Sequence, residues 1–81
     1  MENAREEIEK GIRAGVRILL DAATKEGKTR ADIDKNLPEF KHGILLHPDM
    51  NELFETAGIS EAESISMIDN VVNKAIAEYY G

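Results

Sequence analysis

The first third of the chain repeats apolar positions with the period of an α-helix. Apolar residues recur at three- and four-residue steps from residue 4 to residue 23, namely Ala4, Ile8, Ile12, Val16, Leu19 and Ala23. This spacing places one apolar stripe along a helix. Glutamates crowd the start and Lys25 and Lys28 lie near the end, which suits the helix dipole. Gly27 is typical of a helix end. The pattern predicts a helix over about residues 2–26.

The next segment contains a helix start followed by a proline. Thr29 and Asp32 have the spacing of a capping box, and Ile33 and Leu37 share one face of the helix that follows. Pro38 is expected to end that helix, because proline lacks a backbone N–H donor. A short helix over 30–37 is therefore predicted. Residues 38–47 fit either a further short helix or an extended connection.

The second half repeats the same signals. Pro48 suits the first position of a helix, and Gly58 suits its end. The apolar stripe between these two residues consists of Met50, Leu53, Phe54 and Ala57. Ser60 and Glu63 then form a capping box that opens a last helix, which is strongly apolar from Ile65 to Tyr80.

These elements predict an all-α fold, a small helical bundle in one domain over residues 1–81. Two long helices (about 2–26 and 61–80) flank two or three short ones, and no segment has the two-residue alternation of a β-strand. A chain of 81 residues buries a thin core. Self-association is therefore expected to be a source of additional stability.

Small residues form a narrow strip along the first helix. At 100° per residue they fall within about 40° of one another, and the strip consists of Ala4, Gly11, Gly15 and Ala22. Two glycines inside a helix cost about 1 kcal/mol each relative to alanine, so a compensating close contact is expected. We predict that the last helix of the same chain crosses there. The alternative occupant is a second copy of the chain.

The charge of the chain is divided unevenly along its length. Residues 1–41 hold nine acids and nine bases, whereas residues 42–81 hold seven acids against Lys74 alone, so the second half carries the whole net charge of −6. Nucleic acid repels such a segment and basic protein surfaces attract it. The residues predicted to meet a partner are Asp49, Glu52, Glu55, Glu61 and Glu63.

The composition also bears on chemistry and location. The chain has no cysteine, which excludes disulfides and thiolate chemistry and accords with the cytoplasm. Its acidic, polar start does not resemble a secretory signal, and no apolar run is long enough to cross a membrane. We therefore expect a cytoplasmic protein that does not enter a membrane.

Two segments resemble metal sites only in part. His42 and His47 are five residues apart, whereas one face of a helix brings together positions three or four apart. The segment that begins at Asp32 opens like a calcium loop but has Leu37 and Gly43 where that loop needs glycine and glutamate. No catalytic arrangement has supporting spacing, so we expect no metal, no cofactor and no enzyme activity.

The turn from Phe54 to Ser60 resembles the middle of a helix-turn-helix. The helix that would read DNA begins Glu61-Ala62-Glu63 and has no base before Lys74, so phosphates would repel it. A helical corner that does not bind DNA is the preferred interpretation.

Asp69 is the polar residue that looks misplaced, because it projects into the apolar arc of the last helix. A buried carboxylate needs a partner, and Arg5 is one candidate. We expect Asp69 either to form a structural salt bridge or to lie at the border of the apolar arc.

Together these patterns favour a non-enzymatic protein–protein interaction module, an acidic inhibitor or adaptor that acts through residues 42–81. The alternative is a self-assembling homodimeric structural protein. A DNA-binding regulator ranks third.

Overall fold

The computed structural model describes residues 4–81, which form four α-helices and contain no strand. The helices are α1 (Ala4–Lys25), α2 (Arg30–Leu46), α3 (Pro48–Thr56) and α4 (Glu61–Tyr80). The predicted all-α fold, with a long helix at each end of the chain, is confirmed. Residues 2 and 3 of the first predicted helix lie outside the described part.

Two glycines end helices in the way the sequence indicates. Gly27 and Gly58 have positive φ angles of 79° and 71°, a region that glycine enters without steric cost. The residue after each glycine then turns back onto the helix: the Lys28 N–H donates to the Ala23 carbonyl, and the Ile59 N–H donates to the Phe54 carbonyl, both at 2.9 Å. Each helix therefore ends in a Schellman motif.

The predicted helix starts also form. The Thr29 backbone N–H donates to the Asp32 carboxylate at 2.9 Å, and the Glu63 N–H donates to Ser60 Oγ at 3.2 Å. Pro48 occupies the first turn of α3. Each of these contacts joins residues close in sequence, so local spacing was sufficient to predict them.

The prediction that Pro38 ends the second helix is wrong. The helix continues through the proline from Arg30 to Leu46, so residues 38–46 are neither a separate helix nor an extended connection. Proline removes one backbone hydrogen bond, but apolar residues on both sides of it contact the core. These residues are Ile33, Leu37, Phe40, Ile44 and Leu45. Their packing offsets the unfavourable proline.

The two terminal helices run in the same direction. Near their starts Arg5 pairs with Glu63, and near their ends Tyr79 Oη donates to the Asp21 carboxylate at 3.0 Å. Helix α2 returns in the opposite direction. Arg30 at its start lies over the Tyr80 ring at the end of α4, and Lys41 nearer its end contacts Asp69 in the middle of α4. The short helix α3 then leads back to the start of α4.

The core lies where α4 faces α1 and α2. Val16 and Val72 are fully buried, and Leu20 is 1% exposed. The other buried apolar residues are Ile8, Ile12, Ala23, Ile33, Phe54, Ile59, Met67, Ile68, Val71 and Ile76. Among the described residues, no helix is both long and apolar enough to cross a membrane.

Candidate interaction surfaces

Three acids of the second half are joined to bases of the first half. Glu63 pairs with Arg5 at 2.6 Å, and Glu78 pairs with Arg13 at 3.1 Å. A third ion pair joins Asp69 to Lys41 of α2 at 2.5 Å. Because these ion pairs join different helices, bases of the same chain compensate part of the negative charge of the second half.

Glu63 consequently differs from the other residues predicted to meet a partner. Its carboxylate binds Arg5, and its backbone N–H is capped by Ser60. A partner cation would have to compete with the guanidinium of Arg5 for it.

The remaining four predicted residues form the surface that we call the acidic corner, namely Asp49, Glu52, Glu55 and Glu61. All four side chains are exposed. Within residues 4–81 none of them forms an ion pair with lysine or arginine. The first three lie on α3, and Glu61 follows across the turn at the start of α4. Among the acids of the second half, the charge that has no lysine or arginine partner is thus concentrated on one short helix and the turn after it.

One histidine lies beside the acidic corner. His47 is the N-cap of α3, and its Nδ1 accepts the backbone N–H of Asp49 at 3.2 Å. The same Nδ1 lies 4.0 Å from the Asp49 carboxylate.

Two leucines expose apolar surface next to these acids. Leu53, which the sequence pattern assigned to the apolar stripe of α3, is 47% exposed on the same short helix as three of the acids. Leu46 is 60% exposed at the end of α2, directly before α3 begins. The acidic corner therefore combines negative charge with accessible apolar side chains.

The predicted packing of α4 onto the small-residue strip is wrong. Ala4, Gly11, Gly15 and Ala22 are all exposed. A Cβ atom added at Gly11 or Gly15 would meet nothing within 4 Å. Helix α4 instead contacts the neighbouring stripe of large residues, where Ile8, Ile12, Val16 and Leu20 are buried. Large side chains on both helices fill that interface, so close approach of the backbones is not needed.

The glycines form one side of an open apolar groove. Gly11 and Gly15 of α1 line it together with Phe40 and Ile44 of α2 and Met50 of α3. His47 and Asp49 also border it. The groove encloses about 500 Å³. Nothing within residues 4–81 fills it, so the strip remains available to a molecule outside the chain.

Asp69 forms a salt bridge at the border of the apolar arc, as expected, but its partner is not the candidate Arg5. Its side chain is 55% exposed and pairs with Lys41, whose Nζ also donates to Asn73 Oδ1 at 3.0 Å. Arg5 is paired with Glu63 instead. The apolar arc of α4 is wide enough to pack against both α1 and α2. Asp69 lies at the edge of this arc, on the side next to α2.

The helical corner forms where the sequence places it, but His42 lies within a helix and not in the loop that was expected. Helix α3, a turn and α4 follow one another as in a helix-turn-helix, but both charged side chains in the first turn of α4 are acidic. His42 is exposed on α2, and His47 caps α3. Within the described range, no group of three histidine or acidic side chains is arranged to hold a metal ion.

No protein-family model, curated protein or solved structure matches this chain.

Proposed function

We propose that the chain is a non-enzymatic interaction module that binds a basic protein surface through its acidic corner. The acidic corner is defined above as Asp49, Glu52, Glu55 and Glu61. In this role the chain acts as an inhibitor or adaptor, because it covers a basic surface without changing it chemically. The absence of cysteine accords with a location in the reducing cytoplasm.

The proposal is supported by the contrast between acids that form ion pairs with lysine or arginine and acids that do not. Glu63, Asp69 and Glu78 each form an ion pair with a base from an adjoining helix. The four acids of the corner form no such pair with lysine or arginine in residues 4–81. Their field therefore extends into solvent, where it attracts cations and accelerates encounter with a basic partner.

The exposed leucines supply the other half of an interface. Protein interfaces place apolar residues at the centre and polar residues at the rim. Leu53 offers an apolar contact within the acidic surface, and Leu46 offers a second one beside it. The complementary partner is an amphipathic segment that carries apolar residues between lysines or arginines.

Nucleic acid does not fit this surface. Binding to DNA depends on cations that displace counterions from phosphates. The first turn of α4 presents Glu61 and Glu63 where a recognition helix would meet the groove. The same charges that attract a basic protein would repel DNA.

The proposal can be tested with a defined probe. The ¹⁵N-labelled chain is titrated with a synthetic amphipathic peptide of alternating leucine and lysine blocks, while amide chemical shifts are followed by NMR. We expect the largest shift changes in α3 and the first turn of α4. The affinity should fall as the salt concentration rises from about 50 mM to about 500 mM, because salt screens exposed charges.

A pair of matched variants distinguishes the effect of the acidic corner on binding from the effect of net charge. Glu52→Gln/Glu55→Gln removes two charges from the corner, and Glu6→Gln/Glu39→Gln removes two exposed charges elsewhere. The first variant should weaken peptide binding by about tenfold, and the second should change it little. Equal weakening by both variants, or shift changes spread over all four helices, would contradict the proposal.

A further inference from the structure

One face of α1 is apolar, exposed and uninterrupted by charge. With 100° per residue, Ile18, Gly11, Ala4, Ala22 and Gly15 lie within about 60° of one another. All five are exposed. Ile18, at 70%, is the most exposed of the large apolar side chains. At 1.5 Å per residue the face extends about 27 Å along the helix from Ala4 to Ala22.

This face contains both a projecting side chain and a depression of matching size. Gly11, Ala14, Gly15 and Ile18 have the i, i+3, i+4, i+7 spacing of the four residues that form a hole in knobs-into-holes packing. Two of the four have no side chain, and nothing lies within 4 Å of where their Cβ atoms would be. A large aliphatic side chain from another helix can therefore enter the hole.

We propose that a second copy of this chain covers this face, with the two α1 helices antiparallel. Ile18 of each copy enters the hole of Gly11, Ala14, Gly15 and Ile18 on the other copy. The contact is reciprocal, as a two-fold symmetric interface requires. The proposal does not depend on the acidic corner, although Asp49 of that corner borders the groove beside this face.

The charges that border the face support this register. When Ile18 sits between residues 14 and 15 of the second copy, Glu7 lies opposite Lys25 of that copy. Lys10 then lies beside Asp21 of the second copy, on the same flank. All four side chains are exposed. The register set by the apolar residues thus brings opposite charges together at each end.

A parallel arrangement would lose this complementarity. In a parallel two-fold pair, the charged flank of one copy lies on the opposite side of the interface from the charged flank of the other copy. Glu7 and Lys25 then meet no charge of opposite sign. The charge pattern therefore favours the antiparallel dimer.

The apolar groove beside the face enlarges the contact. Phe40 and Ile44 of α2 and Met50 of α3 border it, and about 500 Å³ is open to side chains from the second copy. A specific dimer usually buries more area than two crossing helices supply. The groove walls extend the interface from α1 alone to three helices.

Sedimentation equilibrium tests the dimer. We expect wild type to convert from monomer to dimer as its concentration rises from about 1 µM to about 1 mM. Ile18→Gln should raise the dimer Kd by about tenfold or more, since it replaces the central apolar anchor. Ile65→Gln, the same change at a 49% exposed site on α4, is the matched control and should leave the Kd unchanged.

Circular dichroism on each variant checks that the fold is intact; both positions are exposed, so neither change disturbs the core. A chain that stays monomeric at the highest concentration would overturn the proposal. So would equal effects of the two isoleucine substitutions.

Disulfide trapping tests the direction of the helices. The chain has no cysteine, so each single-cysteine variant has one thiol. The Glu7→Cys protein is labelled uniformly with ¹⁵N, mixed with unlabelled Lys25→Cys protein and oxidised, and the disulfide-linked dimers are distinguished by mass. The antiparallel register predicts disulfides mainly between unlike variants. Disulfides mainly between like variants would show a parallel pair and overturn the proposed register.

Discussion

Glycine has two opposite roles at the scale of single residues. Gly27 and Gly58 have positive φ angles and end α1 and α3, where a side chain would be strained. Gly11 and Gly15 lie inside α1 with helical geometry, in open space. There glycine weakens the helix without any intramolecular contact that requires it. The two pairs should respond to alanine in opposite directions.

Gly15→Ala should stabilise the monomer by about 1 kcal/mol, the usual difference in helix propensity between the two residues. Gly58→Ala should destabilise it by about 1 kcal/mol or more, because alanine is unfavourable at positive φ. Urea unfolding at low protein concentration measures both changes in the monomer. A loss of stability in Gly15→Ala would show that the backbone at Gly15 is closely approached within the chain, contrary to the described geometry.

Residue-scale predictions from the sequence succeeded where the interaction is local. The contacts of Ser60 with Glu63, and the turn at Gly58, join residues a few positions apart. The surroundings of Asp69 and Leu53 depend instead on which helices lie beside α4 and α3. Periodicity gives the direction in which a side chain points but not the element that it meets. The exposure of Ile18 could have been predicted from its angular position around α1, because Ile18 lies on the same face as the small residues.

At the scale of elements, α2 shows how packing overrides a local signal. Proline inside a helix costs about 3 kcal/mol relative to alanine. Pro38 nevertheless lies in the middle of the 17-residue helix α2. The residues on both sides of it contact α4 and the rest of the core, so a break would expose apolar surface. Local helix propensity could not predict this contribution, because it comes from packing between helices.

Pro38→Ala should therefore raise the free energy of unfolding by about 1 to 3 kcal/mol, because it restores a backbone hydrogen bond and removes a steric conflict. Pro48→Ala is the matched control, since proline at the start of α3 replaces an N–H that has no partner in the helix. That change should be nearly neutral. Urea unfolding followed by circular dichroism compares the two. A destabilised Pro38→Ala protein would show that the proline is required for the path of α2.

At the level of the whole molecule, the fold determines which acidic side chains remain without a basic partner. The sequence places the entire net charge of −6 in residues 42–81. The fold then compensates three of those acids with bases from α1 and α2, and leaves the acidic corner uncompensated. Composition alone could predict that the second half is acidic. It could not predict which acids remain available, because the ion pairs join residues that are at least 28 positions apart.

We propose that the chain acts by binding a basic protein through the acidic corner. The most direct measurement is quantitative affinity capture from the cells that produce the chain, with three tagged proteins compared by mass spectrometry: wild type, Glu52→Gln/Glu55→Gln, and Glu6→Gln/Glu39→Gln. The two variants have equal net charge, so they differ only in where charge is removed. We predict that a basic protein is captured by wild type and by the Glu6/Glu39 variant and is strongly depleted with the Glu52/Glu55 variant. Identical capture by all three proteins would contradict the account.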